Sequence, residues 1–143
     1  MSKVLLIALC LFAFISCEIP VFAVDTTANA LNSFKVEKGQ QFKVKLAGNP
    51  TTGYSWFLLN VKKLTSTSAV QNVDTNEDGS AGGYVSDSDK ENKGLVGVGG
   101  NFFFTFKAVT KTTEPAELLF SYQRPWEKKE NDENAVKVKI TVE

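Results

Sequence analysis

Two stretches of this chain alternate strictly between apolar and polar side chains. Phe42, Val44 and Leu46 are interleaved with Lys43 and Lys45, and Val136, Val138, Ile140 and Val142 with Lys137, Lys139 and Thr141. A period of two predicts half-buried strands with one face in a core and one in water. Apolar runs from Tyr54 to Leu59, Asn101 to Val109 and Ala116 to Tyr122 predict three more strands. Phe34 and Val36 give a weaker first strand, and Gly83 to Val85 a short edge segment. Within the Asn101 run, Phe102, Phe104 and Phe106 are expected on one side, with Phe103 and Thr105 on the other. No stretch combines a helical period with caps. Short strands punctuated by Gly, Pro, Asn and Asp predict an all-β, immunoglobulin-like antiparallel sandwich, with a barrel as the alternative. The immunoglobulin disulfide is missing, so Trp56 is read as a core aromatic. In a sandwich the loops gather at two ends, and alternate connections can form one composite surface.

The first residues follow a different pattern. Lys3 precedes an uncharged apolar run from Val4 to Ile15, and Val21-Phe22-Ala23 supplies a cleavage-type sequence. Residues 1–23 are therefore read as a secretory signal, with Val24 as the first mature residue and a single domain over residues 24–143. The run is short of the roughly 20 residues a membrane span needs, so no stable membrane association is expected after cleavage. Phe14-Ile15-Ser16-Cys17 is an imperfect lipobox, which leaves open a lipoprotein in a bacterium. The compartments compatible with the leader are the exterior, a vesicle (endolysosomal) lumen, or the periplasm. Both cysteines, Cys10 and Cys17, lie in this leader. The mature domain then has no disulfide and must be stable through its core alone.

Charge and chemistry narrow the function further. Formal net charge is zero, and no basic cluster marks a nucleic-acid footprint. The chain has no histidine, which removes Ser-His-Asp and Cys-His catalysis and the usual zinc ligands. No cofactor motif is present. Asp74-Thr75-Asn76-Glu77-Asp78-Gly79 matches the first half of a calcium loop, but Val85 stands where a bidentate Glu is required, so a polar hairpin tip is expected instead.

Three loop-type stretches remain. In Asn49-Pro50-Thr51-Thr52-Gly53-Tyr54, Pro50 fixes its own φ and restricts Asn49, while Gly53 permits a positive φ. Thr51-Thr52 becomes a narrow, uncharged, pre-organised tip, with Tyr54 anchoring the base. The bland alternative is an ordinary turn. Gly97-Val98-Gly99-Gly100 follows the polar stretch from Asp74 to Gly94, and its glycines would let backbone lie flat against another backbone; the alternative is a connector or bulge. Arg124-Pro125-Trp126 sits before the charged run from Glu127 to Glu133, where an exposed Trp and Arg are the residue types enriched at binding hot spots. The alternative there is a Trp folded back onto the domain end.

These three motifs in this order, on a small exported all-β domain, resemble the chagasin family of cysteine-peptidase inhibitors, which includes the amoebiasins. The resemblance covers essentially the whole mature domain, and the irregular stretch from Val70 to Asn92 is its least defined part. It implies a monomeric, non-enzymatic inhibitor of papain-like (clan CA, cathepsin L or B type) peptidases. By that resemblance, the loop with Thr51, Thr52 and Gly53 enters the active-site cleft, the loop with Gly97 to Gly100 lies along one side, and Arg124 and Trp126 pack on the other. With no thiol or other warhead, inhibition is expected to be reversible and competitive. The rival reading is an exported adhesion or carbohydrate-binding module using Trp126 as a sugar platform. A carboxylate glycosidase stands third.

Overall fold

Lysine-and-apolar alternation becomes sheet register in the structure, a computed structural model that describes residues 18–27, 30–64, 68–87 and 99–143. The strands are β1 (Val21–Ala23), β2 (Asn32–Val36), β3 (Gln41–Gly48), β4 (Ser55–Leu58), β5 (Val70–Asn72), β6 (Gly83–Ser86), β7 (Gly100–Ala108), β8 (Ala116–Gln123) and β9 (Val136–Val142). One sheet runs β1-β3-β7-β5, with β6 also pairing with β7; the other runs β2-β9-β8-β4. The strand pairs are antiparallel except at two edges, where β1 lies parallel to β3 and β2 parallel to β9.

The apolar faces of the two sheets meet in one core. Phe42, Val44, Leu46, Phe104, Phe106, Phe120, Val138 and Ile140 are fully buried. Phe104 meets Phe120 of the opposite sheet edge-on at 4.8 Å, the geometry that aromatic quadrupoles prefer. Each fully buried side chain of this size stabilises the fold by about 1.5–3 kcal/mol, and this core has no disulfide among the described residues to assist it. Trp56 is buried, as expected, and its indole N–H donates to the Ala47 carbonyl at 3.0 Å.

The structure adds to several expectations. Thr105, on the side of β7 opposite Phe104 and Phe106, is buried there, and the Asp74 carboxylate accepts from its amide at 2.8 Å and its hydroxyl at 2.7 Å. The stretch expected to be irregular from Val70 forms β5, a tight turn with Gly79 at φ 88°, and β6 as far as Ser86. Strands β1 and β5 were not anticipated. The leader motifs over residues 1–17 lie outside the described residues.

Register gathers the loops at one end. Gly48, the last residue of β3, pairs with Gly100, the first of β7. Ser55, the first of β4, pairs with Gln123, the last of β8. The connections 49–54 and 124–127, and Gly99 just before β7, therefore lie at the same end of the sandwich.

Candidate functional site

The first of these connections is built around Asn49. Its side chain accepts from the Thr51 amide at 3.1 Å and the Thr51 hydroxyl at 2.6 Å, and the Thr52 hydroxyl donates to the Asn49 carbonyl at 2.7 Å. Pro50 occupies the first position of a single 3₁₀ turn over Pro50–Thr52, where its missing N–H costs nothing. Gly53 closes the turn at φ 82°, its amide donating to Pro50 O at 3.0 Å. In this left-handed region any other residue is strained by about 1–2 kcal/mol. The predicted wedge is thus a capped turn with both threonines exposed at its tip.

Tyr122 ties that turn to the sandwich. The Asn49 amide donates to its phenol oxygen at 2.9 Å, and the phenol donates back to the Asn49 carbonyl at 3.2 Å. Its ring lies 5.4 Å from Tyr54 and 5.0 Å from Trp56. Gly48 makes room for this cluster: a Cβ there would sit 2.9 Å from Phe102 and 3.1 Å from Tyr122.

Arg124 joins the second loop to the first. Its guanidinium carbon is 4.8 Å from the Tyr54 ring centre and 5.9 Å from that of Trp126. Trp126 is 72% exposed, yet its ring edge lies over Gly53, where an added Cβ would come within 3.2 Å. Pro125–Glu127 forms another 3₁₀ turn. Beneath it the buried Gln123 side chain donates to Lys129 O at 3.2 Å and accepts from the Lys129 amide at 2.8 Å.

The glycine-rich motif is only partly placed, because Gly97 and Val98 lie outside the described residues. Gly99 is half-buried and its carbonyl accepts from the Asp87 amide at 3.0 Å. Gly100 is buried, and a Cβ there would strike Val85 O at 2.3 Å. The backbone that Gly100 lies flat against in the described residues is therefore that of its own β6. Sequence reasoning missed Gly48, Tyr122 and Gln123, although the last two immediately precede Arg124.

None of the assembled side chains is a nucleophile or a general base. The calcium-like stretch is occupied internally: Asp74 holds Thr105, and Asp78 accepts from the Ser80 hydroxyl at 2.6 Å and amide at 2.9 Å. Those bonds, the hydroxyl first, hold the Asp78 carboxyl below its usual range, with Lys128 adding a smaller Coulombic contribution. Among the described residues no group of His, Cys, Asp and Glu is arranged to hold a metal.

A stiff sandwich end presenting a capped turn beside an exposed indole, with no reactive group, defines a protein-binding module. Comparison with known proteins gives the class its name. The description "Chagasin family peptidase inhibitor I42" matches residues 35–142, so this chain belongs to the chagasin family and is a cysteine-peptidase inhibitor, not an enzyme. Amoebiasin-1 of Entamoeba histolytica is 29% identical over 107 residues, covering 75% of this chain and 87% of that one. In fold, this chain is similar to the cysteine protease inhibitor EhICP2 of Entamoeba histolytica, with a TM-score of 0.51 and 17% identity over 87% of this chain and 96% of that one. PbICP-C, solved in complex with falcipain-2, has a TM-score of 0.51 and 18% identity over 87% of this chain and 99% of that one.

Proposed function

We propose that this chain blocks papain-like peptidases of the cathepsin L or B type as a monomer, reversibly and without covalent chemistry. The observation that carries this reading is the Asn49-capped turn, whose exposed Thr51-Thr52 tip is already fixed in the free protein. A tip ordered before docking loses little conformational entropy in a cleft. Its closed 3₁₀ turn also does not offer the extended strand a peptidase cleaves. Arg124 and Trp126 stand beside it in the same loop cluster, with the Trp126 ring edge over Gly53. An interface of standard size, roughly 1,600 Å² in total, suffices for tight binding when its centre is well packed. The leader-type start supports action after export, outside the cell or in a vesicle lumen.

The test is titration of active papain with the exported protein, read by hydrolysis of a small peptide substrate. The expected result is a stoichiometric, competitive loss of activity that is recovered on dilution. Undiminished hydrolysis at molar excess would overturn the papain-like assignment. Loss that persists after removal of the inhibitor would overturn the non-covalent mechanism.

A further inference from the structure

Strand β1 occupies the stretch that a cut after Ala23 would remove, and it is integrated into the sandwich. Its register on β3 is Val21 to Lys43, Phe22 to Val44 and Ala23 to Lys45. The Lys43 amide donates to Pro20 O at 2.9 Å, and the Val24 amide donates to Lys45 O at 3.0 Å. Side chains alternate as in a working strand: Val21 and Ala23 are exposed, while Phe22 and Val24 pack against the core. Phe22 is stacked on Phe34 at 4.6 Å with the rings 16° from parallel, and lies 5.9 Å from Phe42. Phe22 thus bridges the two sheets, since Phe34 belongs to β2 and Phe42 to β3.

Losing β1 would leave β3 as the edge of its sheet, with the Lys43 amide stripped of its Pro20 partner. Such an edge is a template for pairing with other chains. It would also uncover the Phe34 ring. We propose that β1 belongs to the mature inhibitor and that the leader is cut between Cys17 and Glu18. The sequence permits that position. Cys17 supplies a small residue immediately before the cut, and Ile15 an aliphatic one two positions earlier, directly after the apolar run. Glu18 and Pro20 then open the mature chain rather than closing the leader.

The experiment exports the full chain from a eukaryotic secretory host, as wild type and as Phe22→Ala, and measures the intact mass and melting of each secreted product. If β1 is retained, the wild-type product begins at Glu18. The variant product is then lighter by the difference between phenylalanine and alanine, and its Tm falls by about 5 °C or more. Papain inhibition by the variant stays within about twofold well below its Tm, because Phe22 is remote from the loops. A product beginning at Val24, with identical mass and Tm from both genes, would overturn the proposal. Retained mass with an unchanged Tm would overturn the structural role given to Phe22. The mass and melting readouts do not depend on which peptidase is inhibited.

Discussion

The turn carrying Thr51-Thr52 and the loop carrying Arg124-Trp126 stand side by side, but they are held by different forces. The first is closed on itself by the Asn49 hydrogen bonds and the Gly53 conformation, and Tyr122 bolts it to the sheet. The second is held at its base by Gln123, while its Arg124 and Trp126 side chains lean on Tyr54 and Gly53. Directional bonds fix a shape, whereas stacking tolerates sliding. The wedge should therefore be stiff and the indole adaptable, and damage should travel mainly from the first loop to the second.

The largest test of that asymmetry replaces the tip itself. Thr51→Trp with Thr52→Glu should weaken papain inhibition about a thousandfold, the range of a central hot spot worth about 4 kcal/mol, with little change in Tm. Inhibition constants no worse than those of a distant surface variant such as Lys62→Glu would refute the wedge. Next comes Gly53→Ala, which should cost about thirtyfold by combining backbone strain with displacement of the indole. In a Trp126→Ala background the same substitution should cost only about tenfold, because only the backbone part remains. Equal costs in the two backgrounds would show that the loops are independent.

Smaller effects sharpen the picture. Arg124→Lys keeps the charge but loses the flat guanidinium, and should weaken inhibition about three- to tenfold through the two lost stacks. Full activity in this variant would mean that charge alone suffices. Least of all should pH matter to the inhibitor between about 5 and 8, where the residues from Glu18 onward contain no side chain of matching unperturbed pKa. Asp78 does not alter that expectation. Its folded value is depressed, so its contribution is complete above the unfolded value and is lost only as pH falls through the folded one, below this range. Proton uptake by the inhibitor on complex formation, followed by NMR titration across that range, would contradict it.

Much of this architecture was legible in the chain because strands with one wet face announce themselves by alternation. The lysines of β3 and β9 fall outward and their apolar neighbours inward, as the pattern requires. Strand β5 has three residues and only one strong β-former, too little for periodicity to register. Strand β1 was hidden by its resemblance to the end of a leader. The burial of Thr105 could not be read from the sequence, because the polar group that covers it, Asp74, is 31 positions away. Within the site, the turn chemistry of Asn49, Pro50 and Gly53 is local and could be read directly. Pairing of Gly48 with Gly100 is not, so the internal purpose of Gly100 emerged only from sheet register.

The chain contains two tryptophans in sharply different surroundings: Trp56 is 5% exposed in the core and Trp126 is 72% exposed at the loop end. Their emission should separate, blue-shifted for the first and red-shifted for the second. When a target covers the loop end, only the red component has a solvent shell to lose. Association can therefore be timed in a stopped-flow instrument by the inhibitor's own light, without attaching a dye to the surface under study.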